Sequence, residues 1–310
     1  MKNKDITLAE LDTDLYSMFY EKSKHSTPFH SLDFLISITN SREDLKLYFS
    51  VIYNNSTIYA VMPYFKSLRI PFTMLSLPYG CYGGYLYIND IVNEYLKTKN
   101  PFKLLTNFVS YQNNIYDKVG FEVNKLSTWV IRTDITYDIL FQSLHTKTRN
   151  QIRKSLKENI IVSDIKNKEE LEEVKKIYQE LVRKHDIYKP YNNVLFDNLF
   201  DKSLMSENII FKLAKKDKQI ISYSVFLKNK NSIFYWLNAS KHEYLKFNGT
   251  NAILNSILKY ACESSCQEFN MGAVPNGNYG LQHFKSRWNA EEKEYKNYSS
   301  KLYVLLRKIK

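Results

Sequence analysis

The sequence predicts a mixed protein of helices and mainly antiparallel strands, an α+β fold in two domains. Its 310 residues exceed the size at which one hydrophobic core usually suffices. The apolar residues change repeatedly between helical spacing and strand-like alternation, and consecutive strand runs are joined by short polar turns. With 44% hydrophobic and 25% charged residues the composition is that of a globular protein, and 8 Gly and 7 Pro leave no room for long flexible linkers.

The elements follow in order. Thr27-Pro28 caps an expected helix over residues 29–38, with Phe29, Leu32, Phe34 and Leu35 available to a core. Residues 45–61 read as a hairpin turning at Asn54-Asn55-Ser56. Gly80, Gly83 and Gly84 permit either tight turns or a close approach of backbone to a ligand. Residues 101–121 suggest a strand, a short helix and a Gly turn, 127–132 a strand, and 134–144 a helix with an acidic start. Residues 145–157 are helical in pattern and set Arg149, Arg153 and Lys157 on one face. A strand from Ile160 precedes a long helix over 168–184, whose stripe is Leu171, Val174, Tyr178 and Leu181. After a helical stretch at 193–201, strands at 209–215, 220–228 and 232–239 form an antiparallel meander. The loop 246–252 enters a helix over 253–263, a strand follows at 268–272, and the motif His283-Phe-Lys-Ser-Arg-Trp reads as extended chain. Residues 302–309 are apolar on one face and basic on the other, which suits a return of the chain onto the first domain or, as the alternative, a terminal amphipathic helix facing a membrane.

Composition narrows the function. Acidic side chains interrupt the first 20 residues where a secretory signal needs an apolar run, and no stretch reaches membrane-spanning length, so a cytoplasmic protein without an integral membrane segment is expected. Cys262 and Cys266 are one helical turn apart but lack further ligands for a metal. Cys81 stands alone among Gly and Tyr with no nucleophilic constellation around it. No metal and no bound cofactor is expected. A net charge of +12 favours a phosphate-bearing partner. The 25 tyrosines can stack on bases or sugars, or sit half-buried in strands with a wet hydroxyl.

The order of strand, loop, helix and strand in the second half resembles the acyl-donor-binding half of a GNAT domain. Further segments resemble the Fem family of tRNA-dependent peptidoglycan-bridge aminoacyltransferases: Thr27-Pro-Phe-His-Ser, Gly80-Cys-Tyr-Gly-Gly, Thr148-Arg-Asn-Gln-Ile-Arg-Lys, Tyr235-Trp-Leu-Asn-Ala-Ser, Phe269-Asn-Met-Gly and Gly280-Leu-Gln-His-Phe-Lys-Ser-Arg-Trp-Asn-Ala. Their order and spacing over most of the chain carry the resemblance. It implies tandem GNAT-like domains, each a mixed, mainly antiparallel sheet flanked by helices. The expected N-terminal domain is 1–145, with 298–310 packing back on it, and the acyl-donor-binding domain is 146–297. The first half repeats the helix, meander, helix and strand order in shorter form, which suggests duplication.

The resemblance also implies roles. Lys285 matches the lysine that stabilises the developing oxyanion of acyl transfer, and Phe284 the aromatic that holds the donor end; a surface lysine and a core phenylalanine are the plain alternatives. Arg287, two residues on and so on the same face of a strand, serves the same purpose or contacts a donor phosphate. Tyr235 matches a tyrosine beside the substrates, a catalytic candidate whose hydroxyl donates to a carbonyl or phosphate, or is a core residue, and Asn238 binds the extended donor or caps its strand. The loop with Lys246, Gly249 and Asn251 precedes a helix whose first amides favour an anion. Here the chain departs from the acyl-CoA pattern, which has glutamine or arginine and two spaced glycines where this sequence has Lys246, Gly249 and Ala252. Arg149 and Arg153 are phosphate candidates or members of a solvated helix.

Three readings result. In the first, an aminoacyl group passes from aminoacyl-tRNA to an amine of an anionic cell-wall precursor or related peptide. In the second, acyl-CoA is the donor and an amino sugar or amine metabolite of the cell envelope the acceptor. In the third, a GNAT-like fold without catalysis binds RNA or serves as a scaffold.

Overall fold

The computed structural model describes the chain except residues 100, 112, 113, 119, 188, 189, 265, 276, 309 and 310. It divides into two compact units, Met1–Leu126 with Glu294–Lys310, and Ser127–Lys293.

The first unit opens with β1 (Lys2–Thr7), α1 (Thr13–Lys22) and α2 (Leu32–Ser41). β2 (Leu45–Asn54) and β3 (Thr57–Ser67) are followed by β4 (Thr73–Leu75), β5 (Leu86–Tyr87), α3 (Ile91–Lys99) and β6 (Leu105–Ser110). β7 (Glu122–Arg132) leads into the second unit, with α4 (Tyr137–Ser143), α5 (Thr146–Lys157), β8 (Ile161–Asp164), α6 (Lys168–His185) and α7 (Asn193–Ser203). The meander of β9 (Ile209–Lys216), β10 (Gln219–Lys228) and β11 (Ser232–Ser240) precedes α8 (Gly249–Glu263), β12 (Glu268–Ala273) and α9 (Tyr279–Ser286). The chain closes with β13 (Glu291–Ser299) and α10 (Lys301–Lys308).

Each unit carries a mainly antiparallel sheet. In the first the order is β1-β2-β3-β4-β6-β13, with β5 on β3 and a parallel pair at β4 and β6. In the second it is β7-β12-β11-β10-β9-β8, with a parallel pair at β11 and β12. A helix lies between the strands of each parallel pair, α3 in one unit and α8 in the other, as a parallel crossover requires.

Local sequence explains the boundaries. The helix expected from Phe29 begins later: Pro28–His30 is a 3₁₀ turn closed by Thr27 Oγ1 against His30 Nδ1 at 2.8 Å, and Ser31 then caps α2 by accepting from Phe34 N. Phe29, Phe34 and Leu35 are buried as expected, and Leu32 is half-buried. Asn55 turns the β2–β3 hairpin at φ 52, a conformation asparagine tolerates. The helix expected from Asp134 starts at Tyr137, because Thr136 is the cap and Asp134 instead pairs with Arg132. The helix expected from Ile253 starts at Gly249, which moves Asn251 from a loop into a first turn. Cys262 ends on α8 while the buried Cys266 lies beyond it, so the two do not share a helical turn. The terminal helix was expected to Ile309, which lies outside the described residues.

One correction matters for the site. The motif read as extended is helix α9, capped by Asn278 Oδ1 accepting from Leu281 N at 3.0 Å. Leu281, Phe284, Lys285 and Trp288 stand at helical spacing, and Trp288 is fully buried.

The core of the first unit is aromatic. Phe108 stacks on Tyr298 at 5.2 Å, and Tyr85 N donates to Tyr116 Oη at 2.8 Å. The glycine segment closes on the protein's own side chains. A Cβ at Gly83 would lie 2.5 Å from Ser76 Oγ, and one at Gly84, where φ is +113°, 3.1 Å from Tyr116 Oη. In the second unit Ile253, Leu254, Ile257 and Leu258 of α8 pack with Phe226, Ile233, Phe269 and Trp288.

Replacing Tyr116 with Phe leaves the Tyr85 amide buried without its acceptor, so the variant should lose about 1–3 kcal/mol of stability in urea denaturation. Stability equal to the parent chain would show that water or a shifted backbone takes over the bond.

Candidate functional site

The second unit builds its site on one face of the β10–β11 ladder. Directly opposed residues of an antiparallel pair share a face, and here Ser222 opposes Ser240, Ser224 opposes Asn238, and Phe226 opposes Tyr235. A bulge between Val225 and Phe226 sets this register. The result is a polar row running from Ser222 and Ser240 to the phenol of Tyr235.

At the Ser222 end lies a cavity of about 220 Å³, whose wall includes Gln151, Thr250, Asn251, Phe284 and Arg287. Ser240 Oγ lies 2.8 Å from Ser222 Oγ and 3.0 Å from Thr250 Oγ1, which is 3.1 Å from Ser222 Oγ, closing a hydroxyl triangle. Gly249 lets the first turn of α8 settle on the sheet, since a Cβ there would lie 3.1 Å from Ser222 Cβ and 3.2 Å from Ala214 Cβ. Asn248, at φ 58, offers α8 no side-chain cap. The first amides of a helix have no intrahelical acceptor, so an uncapped first turn of α8 at the cavity's edge favours an anion. Arg287 adds a guanidinium whose Nε is buried without a hydrogen-bond partner among the described residues.

Lys285 points elsewhere. The pairing of β11 with β12 ends at Phe234 and Asn270, although the strands continue to Ser240 and Ala273. Past that point β12 bulges against β7 and Gly272 takes φ +80°, its N–H donating to Asn270 Oδ1 at 2.8 Å. Asn270 also accepts from Thr128 Oγ1 at 2.6 Å, which fixes the bend. The carbonyls of Gly272 and Ala273 then accept from Lys285 Nζ at 2.8 and 2.9 Å.

The ammonium has three N–H groups and these carbonyls use two. Lys285 is 3% exposed, and burial pulls its pKa down to about 8. Three lysines are buried among the described residues. Lys175 pairs with Glu172 and Asp197, and Lys241 with Glu173, whereas Lys285 has no carboxylate.

The structure thus gathers Phe284, Arg287, Gly249 and Asn251 at one cavity, with Lys285 on another side of α9. Phe284 and Arg287 are three residues apart on a helix and so share a face, while Arg287 and Lys285 do not share the strand face expected of them. Tyr235 stacks on Phe226 at 5.3 Å and meets a tilted Phe269 ring at 6.3 Å, and burial raises its phenol, with Ser224 opposing. Asn238 is half-buried inside β11, which runs on to Ser240, so it caps no strand.

Lys246 is exposed over the Phe247 ring and does not line the cavity. Arg149 donates to the carbonyls of Gln142 and Leu144 at 2.7 and 2.6 Å, tying the end of α4 to α5. Arg153 lies over Phe141 and donates to Asn150. Neither lines the cavity.

Sequence reasoning missed Ser222 and Ser240, which carry no signal outside the folded sheet, and gave no role to Gln151 or Thr250, although the first stands in a quoted motif and the second in the loop 246–252. It also assigned nothing to Asn270 and Gly272, although both stand in a quoted motif.

Comparison with known proteins follows this geometry. The FemAB-like family model, described as peptidoglycan biosynthesis/recognition, matches residues 92–283, well over half of the chain and ending just before Phe284. No curated protein matches the sequence significantly. The crystal structure of FemX is similar at a TM-score of 0.74 and 12% identity, covering 100% of this chain and 99% of that one. The C-terminal domain of a putative lysylphosphatidylglycerol synthetase from Agrobacterium fabrum gives 0.57 at 9% identity, covering 92% of each. A tandem GNAT protein from the clavulanic acid biosynthesis pathway gives 0.54 at 9% identity, covering 96% of this chain and 99% of that one. These likenesses establish the fold.

The lowered pKa of Lys285 has a thermodynamic consequence. Below about pH 8 both the folded and unfolded states hold the proton and the burial penalty is felt in full. Between there and the ordinary value of 10.5 the unfolded chain binds the proton that the folded chain has shed, so stability rises with pH. Lys285→Met should remove that rise, measured as the difference in unfolding free energy between variant and parent across the interval; an unchanged difference would place the lysine in water.

Proposed function

Because this chain belongs to the FemAB-like family of peptidoglycan biosynthesis and recognition, and is by that membership an acyltransferase, we propose that it transfers an aminoacyl group from aminoacyl-tRNA to an amine of a cell-wall precursor or related peptide. The unit Ser127–Lys293 is taken as the acyl-transfer domain. The observation that carries the reading is the buried Lys285 ammonium with no carboxylate beside it.

In the reaction the amine nitrogen bonds to the ester carbonyl carbon, and the carbonyl oxygen becomes negative. Collapse of that intermediate breaks the ester C–O bond, and the leaving ribose hydroxyl takes up the proton lost by the amine. Lys285 supplies its third N–H to the oxyanion. With a pKa of about 8 it is charged in about a tenfold excess at pH 7. A fixed cation in a dry site stabilises developing charge more than it does a neutral ground state. Lys285 is therefore the catalytic residue.

Tyr235 is a positioning residue, since its ring holds the middle of β11 beside Phe269, just past the last residue paired with β12. Arg287, Asn251 and the start of α8 seat a donor phosphate, with Phe284 against the donor's apolar part. A tRNA donor sets the reaction in the cytoplasm. The net charge of +12 draws such a donor to the chain.

Acyl-CoA as donor is the second reading, favoured by the uncapped start of α8 and opposed by Ala252 standing where a second glycine is expected. Mass spectrometry of products formed with aminoacyl-tRNA or acyl-CoA and cell-envelope precursors decides between them. Retention of tRNA that falls steeply with salt accompanies the first outcome.

For either donor, Lys285→Met should lower kcat by about 10²–10³ with little change in KM. The parent enzyme should lose activity as pH rises through about 8, because the neutral amine has only the two N–H groups already spent on Gly272 and Ala273. A folded Lys285→Met variant with full activity removes the oxyanion role.

A further inference from the structure

The first unit displays an apolar tip that its own core does not use. Between β3 and β4, Leu68, Arg69, Ile70, Pro71 and Phe72 are exposed in succession, with Leu68 at 63% and Phe72 at 65%. Phe72 has φ +56°, a left-handed conformation that is strained for a bulky residue.

The loop is held at both ends. Leu68 N donates to Asp44 O at 3.0 Å, Ser67 N to Thr73 Oγ1 at 2.8 Å, and Ser67 Oγ accepts from Arg69 N and Ile70 N at 3.2 Å. Leu105 N donates to Phe72 O at 3.1 Å, which brings Leu104, 61% exposed, beside the tip. Ser300 Oγ donates to Leu104 O at 2.8 Å and so starts α10 at the same place. No residue of α10 is buried, and its exposed side chains include Leu305, Leu306, Lys301, Arg307 and Lys308.

The charge around this surface selects its occupant. Arg69 in the loop and Lys301, Arg307 and Lys308 on the adjoining α10 form no salt bridge among the described residues, and the Asp44 carboxylate on which the Arg69 charge acts is itself paired with Arg42, so the apolar tip and the helix that starts beside it carry a net positive charge. Exposed apolar patches of this kind mark docking surfaces. A bilayer rich in anionic headgroups satisfies both parts at once, with apolar side chains in the acyl boundary and cations at the phosphates. Among the described residues no helix is long and apolar enough to cross a membrane.

We propose that the Leu68-to-Phe72 loop, with Leu104 and α10, docks the chain peripherally on an anionic membrane, placing Ile70 and Phe72 between the headgroups. The proposal stands independently of the acyl-transfer chemistry.

Sedimentation of the full chain with vesicles of equal parts phosphatidylglycerol and phosphatidylcholine tests it. The parent chain should bind these vesicles, bind phosphatidylcholine alone more weakly, and release as salt is raised. An Ile70→Ser, Phe72→Ser double variant should bind about tenfold more weakly or worse, since two inserting side chains are lost. Both positions are exposed, and unchanged circular dichroism and thermal midpoint confirm its fold. In Phe72→Trp, fluorescence should shift to the blue on vesicle addition relative to the parent. The proposal is overturned by absence of vesicle binding, by binding that the double variant leaves unchanged, or by a bound Phe72→Trp chain without a shift. A dimer in sedimentation velocity that the double variant dissociates, with no vesicle binding, assigns the surface to a second copy instead and likewise overturns it.

Discussion

An ammonium withdrawn from water forfeits hydration worth several kcal/mol, and proteins ordinarily recover it with a carboxylate. At Lys175 and Lys241 this chain does so. At Lys285 it supplies two backbone carbonyls, and these are available only because β11 and β12 stop pairing at Phe234 and Asn270. The surrounding details follow from that arrangement. Gly272 must take a positive φ, Asn270 must be buried to hold the Gly272 amide and the Thr128 hydroxyl, and α9 must deliver the lysine from across the gap. A partial dipole from two carbonyls leaves the site with residual positive potential. That potential matches a reaction in which negative charge is absent at the start and appears midway.

Much of this scaffold was legible because periodicity reports burial. The meander over β9 to β11, the stripe of α6 and the β2–β3 hairpin all show their patterns in sequence. α9 looks extended when the motif His283-Phe-Lys-Ser-Arg-Trp is taken as an isolated hexamer. Extending it back to Asn278 and Leu281 restores a cap and the i, i+3, i+7 spacing of Leu281, Phe284 and Trp288. β1, α1 and α3 escaped notice because each is short or mixes charge with apolar residues, and only tertiary packing selects its conformation. The hydroxyl triangle of Ser222, Ser240 and Thr250 could not be seen beforehand, since its members come from two strands and a helix. Lys285 itself was picked by resemblance. Its burial, which gives the choice physical content, belongs to the folded state.

The helical phase of α9 separates two tasks that an extended chain would have merged. Residues at 284 and 287 turn toward the cavity at the start of α8, and the residue at 285 turns toward the end of β12. One short helix therefore reaches both the cavity at the start of α8 and the buried carbonyl pair of Gly272 and Ala273, the two places to which the proposed reaction assigns donor and oxyanion. Its anchor is tertiary: the Arg287 carbonyl accepts from His145 N and Thr148 Oγ1, so α9 and the start of α5 are locked together. A shift of either helix would move both sites in concert.

The choice of cation at each position fits this division. Arginine stays charged at any accessible pH and presents a planar fork suited to phosphate, which serves an open cavity such as the one at Arg287. Its size and permanent charge would be poorly accommodated between the Gly272 and Ala273 carbonyls. Lysine offers a compact head with three donors and a pKa that burial can lower, and two donors are already fixed in direction by the main chain. The third is then preorganised, because turning the ammonium to follow another partner would break bonds that water cannot replace in a buried site. A flexible surface lysine would have to be ordered during the reaction at an entropic cost. Here that ordering is completed when the chain folds.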